Sequence, residues 1–184
     1  IRAIAREFVD RMLAMGPECD FAKDVAFLYP LRVIMTVLGV PPEDEPFMLK
    51  LTQELFNSND PDLNRDGQVG TPMEIALSLQ QTMLDLEAYF EKVTTQYRAQ
   101  PQDVVNSVIA NAMINGEYLN RRQLMGYYII AATAGHDTTS NTVAAGFWAL
   151  ADRPDVFRQL KADPSLVAGF IEESIRWPTP VKHF

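Results

Sequence analysis

The chain has 184 residues, 47% hydrophobic and 22% charged, which is an ordinary composition for a globular domain with a sizeable core. Its formal net charge of −8 argues against a nucleic-acid partner or an anionic membrane surface, because both attract basic proteins. The sequence has no apolar run near the roughly 18 residues of a membrane span, no signal peptide and a single cysteine, Cys19, a pattern that favours a cytoplasmic protein without disulfides.

Apolar residues recur every three to four positions, which predicts an almost entirely α-helical chain. Four helices bounded by glycine and proline are predicted in the first half, at residues 1–15, 24–38, 43–56 and 72–99. Pro30 is expected to interrupt or offset the second of these helices. A short strand is predicted at residues 18–21, and the polar residues 57–71 are predicted to form a loop.

The second half is predicted to continue as helices, with Asp103 and Asn120 as capping residues. Their predicted ranges are residues 103–114, 120–150, 154–161 and 163–176. Asn115 and Gly116 are typical of a tight turn or hairpin before the long helix that begins at Asn120.

Both ends of the sequence lack the residues that usually begin or close a structural element. The helical spacing of apolar residues starts at Ile1 with no capping residue before it. After Pro178 and Pro180 the chain is expected to stay extended as far as Phe184. Residues 1–184 are therefore expected to form one partial domain that is truncated at both ends.

Residues 134–139, Ala-Gly-His-Asp-Thr-Thr, disturb the middle of the long predicted helix. Gly135 costs a helix about 1 kcal/mol relative to alanine. The hydroxyl of Thr138 can bond the carbonyl of Ala134 four residues back, which tends to bend or open a helix. An acid, Asp137, beside an alcohol on a surface of small residues suggests a flat or small partner that needs protons. The alternative is a buried helix whose threonine and aspartate are satisfied locally.

This hexapeptide resembles the oxygen-binding motif of cytochrome P450 monooxygenases. A second motif, Glu173-Ser174-Ile175-Arg176, is similar to the Glu-x-x-Arg of a later helix in that family. The resemblance implies a mainly α chain with at most short strands. It corresponds to the P450-type orthogonal helical fold from roughly the fourth lettered helix through the Glu-x-x-Arg helix, as in soluble bacterial members.

The resemblance implies haem b, iron protoporphyrin IX, as the cofactor of the intact chain. The axial cysteine would lie in a Gly-rich loop beyond this sequence, since Cys19 lacks the flanking pattern, so no metal ligand is expected here and the fragment alone would be inactive. Thr138 and Asp137 would be the catalytic pair that delivers protons to iron-bound dioxygen. The residues implied to contact the haem are Ala134, Gly135, Thr138 and His183.

The resemblance also implies a substrate pocket on the turn before the motif. Its implied lining residues are Ile130, Thr133, Ala134 and, after the last helix, Val181. Because these are mostly apolar, the expected substrate is a hydrophobic small molecule such as a terpene, steroid or hydrocarbon. It would be hydroxylated with O2 and electrons from ferredoxin and ferredoxin reductase, by a cytoplasmic monomer without a membrane anchor. Core packing is the alternative for Ile130 and Val181.

Glu173 and Arg176 lie three residues apart, so they share a helix face and can pair. A solvated surface pair is the commoner meaning of this spacing and contributes little to stability. The family resemblance instead implies a structural ion pair that locks this helix to a later loop near the haem. Neither residue is expected to be catalytic.

One other motif supports an alternative function. Asp62, Asn64, Asp66 and Gly67 match the start of an EF-hand calcium loop. The twelfth position is Met73 instead of the bidentate glutamate that such a loop needs, which favours a polar turn between two lid helices. A non-enzymatic helical module that binds a ligand or calcium through the Asp62–Gly67 loop is nevertheless the alternative to the monooxygenase.

Overall fold

The computed structural model describes residues 1–67 and 70–181. These residues form nine α-helices and one two-stranded antiparallel hairpin, so the prediction of a mainly α chain with at most short strands is confirmed. The helices are α1 Arg2–Ala14, α2 Leu28–Leu38, α3 Glu45–Phe56, α4 Pro72–Ala99, α5 Val105–Asn111, α6 Arg121–Ala134, α7 Asp137–Asp152, α8 Pro154–Ala162 and α9 Val167–Arg176. The strands are β1 Met113–Ile114 and β2 Glu117–Tyr118.

The chain divides into two compact units. The first unit contains Ile1–Val33 together with the described residues from Ala134 onward, and the second contains Ile34–Thr133. The expectation of one partial domain over residues 1–184 stays a prediction. None of the helices in the described part of the chain combines the length and the apolar character that crossing a membrane requires.

The second unit is built around the long helix α4, which packs against α3 and α5. The rings of Phe90 and Tyr128 stack at its centre with centroids 4.5 Å apart, and both side chains are fully buried. The Tyr128 hydroxyl hydrogen-bonds that of Thr94 at 2.9 Å, so the polar end of the tyrosine is satisfied inside the core. Thr71 and Glu74 form a capping box ahead of α4, which explains where the predicted loop ends.

A charge cluster around the buried Glu54 joins that loop to the helices on either side of it. Glu54 of α3 is 3% exposed, and its Oε2 accepts hydrogen bonds from Arg65 at 2.8 Å and from Thr82 at 2.9 Å. Arg65 also pairs with Asp85 of α4 at 2.6 Å. The arginine hydrogen bonds lower the pKa of Asp85. Two carboxylates therefore share one arginine, and the loop is held against α3 and α4.

The first unit packs a segment from the N-terminal part of the chain and α9 against α7. Phe21 stacks on Phe147 of α7 with ring centroids 4.2 Å apart. α7 also packs against α9 at Gly146, where an added Cβ would lie 2.8 Å from the Ser174 hydroxyl oxygen. A glycine is needed at this position because the two helices approach too closely for a larger residue.

The strand predicted at residues 18–21 is wrong. The Asp20 carboxylate accepts a hydrogen bond from the Lys23 N–H at 3.1 Å, and the Asp24 carboxylate accepts one from the Asp20 N–H at 3.2 Å. These reciprocal bonds start a helical turn, which continues as the π-helical turn Ala22–Ala26 before α2. Short-range aspartate bonds thus replace the extended backbone expected here.

The predicted helix 103–114 is shorter than expected, because α5 ends at Asn111. Asn115 and Gly116 have φ angles of 54° and 84°, values that suit a two-residue hairpin turn, and Ile114 pairs with Glu117 across it. The hairpin takes residues 113 and 114 out of the helix. Asp103 is not the capping residue of α5, whereas Asn120 caps α6 as predicted and accepts from the Gln123 N–H at 3.0 Å.

Candidate active site

The predicted single helix 120–150 is wrong, because it divides within the hexapeptide. α6 ends at Ala134 and α7 begins at Asp137, so Gly135 and His136 lie between two helices. His136 has φ −91° and ψ −75° and precedes the first residue of α7. Asp137 therefore occupies the first position of a helix, where the helix dipole favours a negative charge.

His136 is the most deeply buried residue of the hexapeptide, with 1% of its surface exposed. Its Nε2 lies 2.9 Å from the backbone carbonyl oxygen of Phe27, and its ring lies 4.7 Å from the Phe27 ring. The Ser140 hydroxyl, one turn further along α7, lies 3.5 Å from the same carbonyl oxygen. The break in the helix is thus fixed to one backbone group of the first unit.

Phe27 closes the π-helical turn Ala22–Ala26, since its N–H donates to the Ala22 carbonyl five residues back at 2.9 Å. Turns of this kind are rare and are frequent at functional sites. Two irregular segments of the first unit, the π-helical turn and the interruption at His136, therefore meet at the Phe27 carbonyl.

The side chain of Asp137 is 41% exposed, and its Oδ1 lies 3.5 Å from Nδ1 of His136. This carboxyl group is therefore partly exposed to solvent and has a buried imidazole as its neighbour. A carboxyl group in this position can exchange protons with water while it keeps a second polar neighbour inside the protein.

Thr138 donates its hydroxyl hydrogen to the Ala134 carbonyl at 2.8 Å, as the sequence predicted. Thr142 makes the same bond to the Thr138 carbonyl at 2.8 Å. The hydroxyl oxygen of Thr138 keeps its lone pairs for an incoming donor, but its own proton is in use until the Ala134 bond opens.

The residues predicted to line a substrate pocket differ in exposure. Ile130 is 61% exposed and Ala134 is exposed one turn later, so both present apolar surface. Thr133 is buried, and its hydroxyl donates to the Ile129 carbonyl at 2.7 Å. Val181 is 40% exposed after α9. Their contact with substrate stays a prediction, and His183, predicted to approach the haem, lies outside the described residues.

Glu173 and Arg176 form the predicted pair through three hydrogen bonds of 2.7 to 3.0 Å. Both side chains are more than half exposed. The bonds from Arg176 lower the pKa of Glu173, and the same bonds raise the pKa of Arg176. The attachment of this pair to a later loop stays a prediction.

In the EF-hand-like loop, the side-chain oxygen of Asn64 is used within the loop itself. Asn64 Oδ1 accepts from the N–H groups of Asp66 and Gly67 at 3.1 and 2.8 Å, and Arg65 points to Glu54. Among the residues that the structure describes, no group of three or more His, Cys, Asp or Glu side chains is arranged to hold a metal ion.

Sequence reasoning gave His136 no role, because it occupies the variable position of the motif. A signal was present, since Tyr128, Ala132, His136 and Ser140 are spaced by four and all are buried. The partner of His136 is a carbonyl 109 residues away, so a sequence pattern could not identify it.

Comparison with known proteins establishes the family of this chain. The family model described as Cytochrome P450 matches residues 18–176. The chain belongs to the cytochrome P450 family. It is 40% identical to Cytochrome P450-terp of a Pseudomonas species, a match that covers 100% of this chain and 43% of that protein. It is 30% identical to vitamin D3 dihydroxylase of Streptomyces griseolus, over 96% of this chain and 40% of that protein.

The crystal structure of CYP108D1 from Novosphingobium aromaticivorans has the same fold, with a TM-score of 0.85 and 46% sequence identity. That match covers 100% of this chain and 41% of the other. The P450-type fold inferred from the two motifs is therefore confirmed. The chain spans less than half of the length of these relatives, and the family assignment does not favour the calcium-binding alternative.

Haem b is the cofactor of cytochromes P450, and the residues around the helix interruption fit one face of it. Ala134 is small and exposed, Gly135 has no side chain, and neither carries charge. Such a surface admits a planar, largely apolar ring at close approach. The hydroxyl of Thr138 and the carboxyl of Asp137 are the polar groups next to it, and they suit proton transfer better than iron ligation.

Proposed function

We propose that this P450 chain is the central helical part of a haem-thiolate monooxygenase that hydroxylates a hydrophobic small molecule. The observation that carries the proposal is a half-exposed acid, Asp137, next to the Thr138 hydroxyl at a fixed interruption of the central helix. The family supplies the reaction class, which consumes O2 and electrons from a redox partner. A ferredoxin and its reductase are the proposed donors.

Haem, when bound, supplies the activation of O2. Asp137 takes protons from solvent through its partly exposed carboxyl group and passes them inward. Thr138 orients a water molecule or the reacting oxygen by accepting or donating a hydrogen bond, for which its bond to Ala134 must open. Asp137 and Thr138 follow Ala134 and Gly135 after one intervening residue, His136, so the proton-transferring groups lie close in the chain to an apolar surface.

The proposed substrate is apolar, in the size range of a terpene, a steroid or another hydrocarbon. The exposed Ile130 and Ala134 support this, since they offer apolar contact on the turn before the motif. The relatives named above include a vitamin D3 dihydroxylase, and a steroid C26-monooxygenase of Mycobacterium tuberculosis is 31% identical over 100% of this chain and 47% of that protein. Thr133 and Val181 are the other residues proposed to contact the substrate.

The remaining roles belong to the same proposal. Ala134, Gly135, Thr138 and His183 contact the haem. Glu173 and Arg176 act structurally by fixing α9 to a later part of the protein. The enzyme is a cytoplasmic monomer in this proposal.

Because the chain spans less than half of its relatives' length, the experiment uses the full-length protein that contains it. Reduction with dithionite under carbon monoxide should give the strongly red-shifted Soret band of thiolate-ligated haem. Thr138→Ala should then keep that band and the affinity for substrate but lower the product formed per electron consumed. Thr142→Ala is the matched control, since Thr142 makes the same backbone bond one turn later. Unchanged product per electron in Thr138→Ala would refute the proton-delivery role.

A further inference from the structure

The tautomer of a neutral His136 follows from its hydrogen-bond partner. A backbone carbonyl oxygen can only accept a hydrogen bond, so the Nε2 atom that lies 2.9 Å from the Phe27 carbonyl must carry a hydrogen. In the neutral imidazole, Nδ1 is then unprotonated and presents a lone pair. That lone pair faces Asp137 Oδ1 at 3.5 Å.

An ionised carboxylate and an unprotonated Nδ1 are both acceptors, so they cannot bond each other. Their separation of 3.5 Å exceeds the roughly 2.5 to 2.9 Å of charge-assisted hydrogen bonds. One additional proton changes this, because it can lie between Nδ1 and Oδ1 whichever atom formally holds it. The carboxyl group of Asp137 is partly exposed, so a small rotation closes the gap.

The charged groups of the neighbouring segment do not compete for this position. In the π-helical turn that packs on α7, the Asp24 carboxylate accepts from the Asp20 N–H and Lys23 is exposed. α9 meets α7 at Gly146, more than two turns beyond His136, and its Glu173 and Arg176 bond each other. Asp137 is therefore the carboxylate that faces the imidazole.

We infer that His136 is a positioning residue for Asp137, with its Nδ1 lone pair holding the proton-bearing form of the Asp137 carboxyl group at the entrance of the site. The inference rests on the proposed proton delivery by Asp137 and Thr138. The Phe27 carbonyl fixes the ring through Nε2, and the buried position keeps water from replacing Nδ1. Asp137 loads a proton from solvent, keeps it against Nδ1, and releases it inward when the carboxyl group turns away.

Two substitutions test the roles of the two His136 nitrogen atoms separately. The amide nitrogen of His136→Gln can replace Nε2 and keep the bond to Phe27, but the variant has no basic group at the position of Nδ1. His136→Asn places its amide near the position of Nδ1 and cannot reach the Phe27 carbonyl. In the full-length protein, His136→Gln should keep its thermal unfolding temperature and haem content. Its turnover should fall about tenfold, less than the 10²–10⁴-fold effect of a direct acid–base group.

The slower turnover of His136→Gln should show a larger solvent deuterium isotope effect and an unchanged amount of product per electron. His136→Asn should lose thermal stability, because it leaves the Phe27 carbonyl without this donor. Wild-type turnover and isotope effect in His136→Gln would overturn the inference and leave His136 a purely structural residue.

A second readout is independent of activity. In protein labelled with ¹⁵N-histidine and ¹³C-aspartate and held in the diamagnetic reduced, carbon-monoxide-bound state, the signals lost in His136→Gln and Asp137→Asn identify the pair. We expect a hydrogen on Nε2 and none on Nδ1 at high pH. A hydrogen on Nδ1 would overturn the inference.

Asp137→Asn distinguishes the failure of this inference from the failure of the proposed function. If Asp137→Asn turns over as fast as wild type, proton delivery by Asp137 is wrong. If Asp137→Asn is slow and His136→Gln is not, proton delivery stands and the role of His136 fails alone.

Discussion

The long helix α4 and the interrupted pair α6–α7 carry the same local perturbation with different results. In α4, the hydroxyls of Thr82, Thr94 and Thr95 each bond the carbonyl four residues back, and the helix continues for 28 residues. Across α6 and α7, Thr133, Thr138 and Thr142 make the same bonds, but the helix divides. Threonine bonds to the backbone therefore do not break a helix by themselves.

The difference lies in how each helix is tied to its surroundings. α4 is held through its side chains, since Thr82 and Asp85 reach Glu54 and Arg65 while the backbone of α4 stays intact. At the other site, Gly135 weakens the helix, and the imidazole of His136 bonds a backbone carbonyl of another segment. A residue of low helix propensity, together with a hydrogen bond to a segment far away in the sequence, opens the helix. Asp137 is then the first residue of a new helix.

The largest loss of stability is expected when the Arg65 ion pairs that hold the loop against α3 and α4 are removed. Arg65→Ala leaves Glu54 buried without its main counter-charge, and breaking a buried pair in this way costs about 3–5 kcal/mol. Chemical denaturation of the full-length protein, followed by circular dichroism, measures the free energy of unfolding. Lys50→Ala is the control, because Lys50 is exposed and lies 3.8 Å from Glu54, and it should cost less than about 1 kcal/mol. Equal losses in the two variants would mean that the charge cluster does not hold the loop.

Removing the hydrogen bond between His136 and the Phe27 carbonyl should cause an intermediate loss of stability. His136→Leu removes the hydrogen bond to the Phe27 carbonyl and leaves that group without its imidazole donor, at a cost of about 1–3 kcal/mol. The helix should also become more continuous, so that hydrogen exchange slows at the backbone amides of Asp137 and Thr138. Faster exchange at these amides would contradict the view that this bond keeps the helix open.

A smaller effect is expected in the pH dependence of stability, through the ion pair between Asp85 and Arg65. The hydrogen bonds from Arg65 lower the pKa of Asp85 from its ordinary value of 3.8, so the folded state binds this proton less readily than the unfolded state. The resulting stabilisation is fully present well above pH 3.8 and is lost as pH falls through the lowered pKa. Unfolding midpoints measured from pH 6 to pH 2 should fall less steeply in Asp85→Asn than in wild type. Parallel slopes would show that Asp85 does not contribute.

The smallest change in stability is expected when the threonines that bond the helix backbone are replaced. Thr95→Ala in α4 and Thr142→Ala in α7 each lose one bond to the backbone and gain helix propensity, so stability should change by no more than about 0.5 kcal/mol. The interruption should persist in Thr142→Ala, as judged by amide exchange at Asp137. If it closed, threonine and not His136 would be its cause.

Most of the fold was accessible from sequence, and so were the motif residues at the site. Proline and glycine gave the bounds of α3, α4 and α8 to within a few residues, since these residues act on their own turn of backbone. The strand expected at residues 18–21 was wrong because carboxylate bonds between Asp20 and Asp24 set a helical turn there. The motif itself led to Asp137, to Thr138 and to a local weakness of the helix at residues 134–139, but not to the division into two helices.

The sequence by itself determined the helical class, the family and the position of the acid–alcohol pair, because these depend on residue types within a few positions of one another. Tertiary structure decided that the central helix divides at its weak segment, which nitrogen of His136 carries a hydrogen, and that Arg65 neutralises Glu54. Each of these depends on a contact between separate segments, up to 109 residues apart for His136 and Phe27. Local propensity cannot specify such a contact, since it forms only when packing brings both groups together.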